Sequence, residues 1–316
     1  MDQPTSVAAP KSNAAKFVFF YLIHLVSLGF MTVDFGIILF QIVNKNVADV
    51  ITAYSGSYDE GALKFAISAL LISTPIFYVI TAFIQKSLFK GEMKKDSGIR
   101  RWLTYLILFV SFLIFVGWLI AFVNNFLNGE LTMKFILKTL SVLVIAAAVF
   151  GFYLYDIRRA AVENIKDKVL KIFFIASLSV VAIVFVASFF VVESPAAARD
   201  RKLDDEVINN FGNIYQCVDQ YYRETRKLPP DFAAMQADCT YLTTDNLKDS
   251  QTGQAFVYST TGTTTYQICA NFRTSNVGKA NNLGMNYPAA VGSGSSSHTS
   301  GYQCLKNQVY PAVKVN

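Results

Sequence analysis

Long runs of Phe, Leu, Ile and Val dominate the chain up to Val192. From Glu193 onward Thr, Ser, Asn, Gly, Gln and Tyr are interleaved with short apolar stretches. A membrane-spanning helix needs roughly 17–25 mostly apolar residues. Five segments meet that need: Phe17 to Val43, Leu63 to Ile84, Trp102 to Phe126, Phe135 to Tyr155 and Ile172 to Val192. Each is too long and too apolar to be a buried helix of a soluble core. The first run also exceeds the h-region of a signal peptide and lacks a small-residue cleavage site after it, so it reads as an uncleaved anchor. Ala196 to Ala198, beyond the fifth run, only mimics such a site.

The second half follows other periods. Leu203, Val207, Phe211, Ile214, Val218 and Tyr222 recur at spacings of three and four, the stripe of a half-buried helix. Asp204, Asp205 and Glu206 load its first turn, where the helix dipole favours negative charge. Pro229-Pro230 ends it, and it forms one rod with the fifth span, broken near Pro195. Ala255 to Tyr258 and Thr265 to Phe272 read as strands joined by a turn at Thr261-Gly262. A last strand is expected from Cys304 to Val309. Ser275 to Ser300, rich in Gly, Ser and Asn, reads as a surface loop in which His298 is solvated and Ser293 to Ser297 is linker.

The expected fold is therefore a mainly α membrane protein. A five-helix transmembrane region precedes a small extracytoplasmic α+β domain, a long helix with an antiparallel sheet. The division is a cytoplasmic tail over 1–15, a four-span bundle over 16–159, a fifth transmembrane helix over 172–192 and a disulfide-bonded domain over 193–316.

Charge orients this arrangement. The net charge of +6 does not point to nucleic acid, because from Glu193 onward 11 Lys/Arg balance 11 Asp/Glu. The excess lies in the membrane half. One side carries Lys11, Lys16, Lys86, Lys90, Lys94, Lys95, Arg100, Arg101, Arg158, Arg159, Lys166, Lys168 and Lys171; the other carries Lys45, Lys64, Lys134 and Lys138. Basic loops stay inside, which places the N-terminus in the cytoplasm and, after five spans, the C-terminal domain outside.

The cysteines agree independently. Cys217, Cys239, Cys269 and Cys304 all lie in the C-terminal domain, and disulfides persist in oxidising compartments. Four cysteines allow three pairings. Cys217–Cys239 with Cys269–Cys304 closes the shortest loops and is the expected one. Zinc is the competing reading, weakened because no two cysteines have close ligand spacing. Asp245, Asp249 and Gln251 before Thr252-Gly253 fail the spacing of a calcium loop and read as a turn.

Within the membrane half, Tyr21-Leu22-Ile23 matches Tyr105-Leu106-Ile107 and Val26-Ser27 matches Val110-Ser111. Lys64-Phe65 likewise matches Lys134-Phe135, with Gly61 and Gly129 ahead of each pair. A helical hairpin used twice, or chance similarity of apolar segments, accounts for this. His24 and Asp34 are the ionisable groups of the first span, and such groups are costly in lipid. Lys138 could reach Asp34 from the fourth span; a protonated Asp34 or water from the outer face are alternatives. Ten residues of helix leave His24 and Asp34 roughly 80° from a common face, which argues against a relay. Pro75 should kink the second span, with Ser73 and Thr74 satisfying the freed carbonyl. Trp102 and Tyr155 read as interfacial anchors, and Asn124, Asn125 and Asn128 as a solvated helix end.

Several stretches carry a family resemblance: Phe19-Phe20-Tyr21-Leu22 through His24-Leu25-Val26-Ser27-Leu28-Gly29, Lys86-Ser87-Leu88-Phe89-Lys90-Gly91-Glu92, and Ser97-Gly98-Ile99-Arg100-Arg101-Trp102-Leu103-Thr104-Tyr105. Asn125-Phe126-Leu127-Asn128-Gly129-Glu130-Leu131 and Tyr153-Leu154-Tyr155-Asp156-Ile157-Arg158-Arg159 continue it. From about Lys16 to Arg159 the chain resembles the bacterial membrane domain of unknown function 5671. That resemblance implies a four-span bundle and carries over no catalytic residue. The C-terminal domain is more loosely similar to a pilin or pseudopilin head. It departs at Lys168-Val169-Leu170-Lys171-Ile172-Phe173, where the pilin processing signal is missing, and that argues against assembly into a fibre.

No metal, nucleophile or nucleotide motif stands out, so no enzyme and no cofactor is expected. The expected role is a non-enzymatic envelope protein: the bilayer holds the bundle, and the exported domain binds an envelope partner or a second copy. The alternative is a small transporter or channel built from the repeated hairpin, with Asp34 handling an ion or proton. A membrane enzyme has only its location in its favour.

Overall fold

The computed structural model describes residues 14–47, 57–91, 98–159, 167–277 and 296–310. The expected tail up to residue 13, the loop lysines Lys11, Lys94, Lys95 and Lys166, and most of the Ser275 to Ser300 loop lie outside the described residues. The chain divides into two compact units, Met1–Val192 and Glu193–Asn316.

The first unit holds α1 (Ala14–Asn46), α2 (Glu60–Phe89), α3 (Gly98–Leu127), α4 (Met133–Arg158) and α5 (Lys168–Ser188). All five are long and apolar enough to cross a membrane. Their large apolar side chains lie open on the outside of the bundle, among them Phe109, Ile120, Ile172 and Ile183. Lipid is the solvent for such faces, since helices satisfy their own backbone groups there. This is the build of a multi-pass membrane protein.

Local chemistry sets the helix starts. Asp59 caps α2 by accepting from the Ala62 amide at 3.1 Å, Thr132 caps α4 through the Phe135 amide at 3.2 Å, and Asp167 caps α5 through the Val169 amide at 2.9 Å. At the end of α3, Gly129 turns left-handed with φ +71°, and the Glu130 amide reaches back to the Asn125 carbonyl at 3.0 Å. The helices pack as hairpins, α1 along α2 and α3 along α4, and α1 also touches α3, α4 and α5. The α1–α2 core consists of Leu28, Met31, Ile38, Leu63, Ala66 and Leu70, all buried.

Two expectations need correction. α2 runs unbroken through Pro75, yet the Ser73 and Thr74 hydroxyls are buried with no hydrogen-bond partner among the described residues, so neither satisfies the freed carbonyl. The fifth helix starts and stops earlier than the apolar run. Asp167 fixes its start, and the 3₁₀-type bonds Phe189 N to Val186 O and Phe190 N to Ala187 O end it. The break before the next helix spans residues 189–194, immediately ahead of Pro195 as expected.

The second unit opens with α6 (Pro195–Thr225), capped by the Ser194 hydroxyl and closed by a left-handed Arg226 with φ 58°. The short α7 (Phe232–Asp238) follows, then a 3₁₀ turn at Thr244–Leu247 and the antiparallel sheet β1 (Val257–Thr260), β2 (Thr265–Phe272), β3 (Gly301–Gln308), in that spatial order. The core interleaves Val207, Phe211, Ile214 and Val218 of α6 with Tyr266, Ile268 and Phe272 of β2 and Leu305 of β3. β1 starts two residues later than Ala255, because Ala255 instead bridges Lys248. β3 starts at Gly301 because Gly301 pairs with Phe272 at the far end of β2.

Candidate functional site

Two polar layers meet at the end of the first unit that carries the basic loops. In the first layer, α1 supplies His24, α2 supplies Thr81 and α4 supplies Tyr153. All are nearly inaccessible, His24 at 3% exposure. The Thr81 hydroxyl donates to the Phe77 carbonyl at 2.6 Å. A hydroxyl has one proton, so at its 3.0 Å contact with His24 Nδ1 it accepts. Nδ1 therefore carries the imidazole proton. Nε2 is left as the acceptor, and the Tyr153 hydroxyl donates to it. The result is a directional chain from Tyr153 through His24 and Thr81 to the Phe77 carbonyl, with the His24 ring stacked on Phe77 at 4.9 Å.

The second layer is ionic. Arg100, 1% exposed at the start of α3, donates from Nη2 to both Oδ2 and the carbonyl of Asp156, each at 2.8 Å. Arg159, the C-cap of α4, pairs with Asp156 Oδ1 and donates to Gln85 Oε1 at 3.1 Å. Its other amino group lies 3.7 Å from Asp167, which also accepts from the Tyr155 hydroxyl at 2.9 Å. Two guanidiniums thus meet two carboxylates, which is the condition for burying charge without a severe desolvation cost. Tyr21 sits beside Arg100, one helical turn from His24. Four helices are fastened to one another here through polar groups.

The sequence-predicted residues scatter. His24 lies in the first layer. Asp34 is 1% exposed in α1, and its Oδ2 has no hydrogen-bond partner among the described residues. Lys138, one of the alternatives for meeting it, lies over the Phe40 ring at 5.5 Å. Tyr155, expected as an anchor, is bound to Asp167.

The second layer was missed because Arg100 and Arg159 read as loop charges. The usable signal was Asp156, a lone acid set among the arginines at the end of an apolar run. Among the described residues no three His, Cys, Asp or Glu side chains gather as a metal site would need.

In the second unit the cysteines are bonded as Cys217–Cys239 and Cys269–Cys304. Asp249 accepts from the Gln251 and Thr252 amides at 2.9 and 2.7 Å and from Arg273 at 3.0 Å, so a guanidinium occupies the acidic turn. Asp204, 1% exposed, accepts from the Arg273 amide and the Thr274 amide and hydroxyl, tying the end of β2 to α6. His298 is not solvated. It is 3% exposed and stacked on Phe272 with ring centroids 4.0 Å apart, because the His298 amide and Asn276 Oδ1 close the loop back on itself at 2.7 Å.

Residues 18–153 match the family model described as Domain of unknown function (DUF5671). The stretch holds the first polar layer together with Gln85 and Arg100; Asp156 and Arg159 fall just beyond it. No curated protein and no solved structure matches the chain.

Proposed function

With residues 18–153 taken as a membrane domain of that unknown-function family, we propose that the chain is a non-enzymatic anchor of the bacterial inner membrane. It holds the Glu193–Asn316 unit outside the cytoplasm, where that unit binds an envelope protein or a second copy. The observation that carries this reading is the confinement of all four cysteines, each disulfide-bonded, to a unit with its own core after the fifth apolar helix. The asymmetry of loop lysines and arginines supports the same orientation. The buried ionic layer suits an anchor, because it ties helices together. Photo-crosslinking from exposed positions of the second unit in living cells tests the role. Recovery of a reproducible envelope partner or a dimer is expected; crosslinks to neither would refute it.

A second reading rests on Asp34. A buried carboxylate oxygen with no partner among the described residues, inside a membrane helix, suits proton or ion handling. Flux through liposomes containing the wild type or Asp34→Asn separates the readings. Flux lost in the variant supports transport, and equal background flux in both removes it.

A further inference from the structure

Cys269 and Cys304 are directly opposite each other in the β2–β3 ladder. Their bridge differs from the other one in what surrounds the sulfurs. Cys217 and Cys239 are 0% and 1% exposed. They cross from α6 to the end of α7 inside the core, with Cys217 Sγ 3.4 Å from the Met235 carbonyl. A thiolate has no route to them without unfolding.

Cys304 is exposed, while Leu305 beside it points into the core. Strand alternation puts Tyr302 and Lys306, both exposed, on the same face as Cys304. A shallow depression of about 420 Å³, lined by Ser297, Gln303, Cys304, Leu305 and Lys306, opens at this residue. Exchange rates depend on access and on which sulfur is attacked. Electropositive, partly exposed surroundings favour thiolate chemistry. Cys304 has both features, and its bonded partner Cys269 is 3% exposed, which leaves Cys304 as the sulfur open to attack.

We propose that Cys269–Cys304 is a thiol–disulfide exchange site for an external dithiol, and that Cys217–Cys239 is a structural bridge. One thiolate of the dithiol attacks Cys304 Sγ, forming a mixed disulfide and releasing the Cys269 thiolate, which takes up a proton. The second thiol of the reductant, as thiolate, then attacks its own sulfur in the mixed disulfide. The reductant leaves as a disulfide, oxidised by two electrons, and Cys304 departs as a thiolate that is protonated in turn. Lys306 favours the approach of the first thiolate. The strands do not need the bridge to stay together, because their ladder runs from Thr265↔Gln308 to Phe272↔Gly301. Opening it frees two thiols on a sheet that keeps its register.

This goes beyond the anchoring role, and its test needs neither the orientation nor the partner. The full-length protein in detergent is treated with graded dithiothreitol without denaturant and quenched with iodoacetamide, and its peptides are mapped by mass. Cys269 and Cys304 are expected to be alkylated at a reductant concentration about tenfold or more below that needed for Cys217 and Cys239. Opening of both bridges together, or of Cys217–Cys239 first, overturns the proposal.

Discussion

The Tyr153 hydroxyl donates to His24 Nε2 across 129 residues of sequence, joining α4 to α1. Because Thr81 spends its one proton on the Phe77 carbonyl, His24 has a single tautomer that satisfies all three groups. Tyr153→Phe removes the donor and leaves a buried ring nitrogen unmet. Interhelical hydrogen bonds in membranes are worth about 1 kcal/mol, so a modest fall in the thermal midpoint of the detergent-purified protein is expected. An unchanged midpoint would show that the chain contributes nothing to holding the helices.

The ionic layer should matter more. Asp156→Asn leaves Arg100 and Arg159 facing each other with one carboxylate gone, and breaking a buried pair costs about 3–5 kcal/mol. The double variant Arg100→Leu with Asp156→Leu removes both charges of the 2.8 Å pair and should be less harmful than Asp156→Asn alone. Detergent melting curves of the two variants decide this, and the reverse order would contradict a charge-balanced cluster.

How much of this was legible beforehand depended on the kind of signal. Apolar runs locate the five membrane helices because lipid acts on each segment separately. β2 is found at Thr265–Phe272 because its alternation buries Tyr266, Ile268, Ala270 and Phe272 on one face. Arg100 and Arg159 were opaque, since a guanidinium at a helix end reads the same whether it faces water or an aspartate on another helix. His298 was opaque for a similar reason: its Ser/Gly neighbours say nothing of Phe272, which lies distant in sequence. Ser73 and Thr74 had the right chemistry for the Pro75 gap but do not make the bond.

Acid should loosen the second unit. Burial raises the Asp249 carboxyl, but the Arg273 guanidinium and the Thr252 and Gln251 amides outweigh it and hold the group at about 2, below its ordinary 3.8. A depressed carboxyl contributes stability that is complete above its unfolded value and is lost as pH falls through the folded one. The protease resistance of residues 195–310 in the full chain should therefore decline between roughly pH 4 and pH 2. Asp249→Asn should start lower and show a shallower decline; a wild-type decline of the same steepness in the variant would exclude Asp249 as a source.

His298→Ala removes a ring stacked 4.0 Å from Phe272. Aromatic contacts of this kind contribute about 0.5–1.5 kcal/mol, so a small loss in thermal stability of the second unit is expected, readable as earlier protease cleavage on heating. No change would return His298 to the status of a surface residue.

The orientation of the chain tests the account most directly. All four native cysteines are bonded, so a cysteine introduced by substitution is the only free thiol. Lys227→Cys, exposed just past the end of α6, should react with a membrane-impermeant maleimide in intact spheroplasts. Lys90→Cys, at the end of α2, should react only after the membrane is broken. Labelling of Lys90→Cys in intact spheroplasts, with Lys227→Cys protected, would contradict the account.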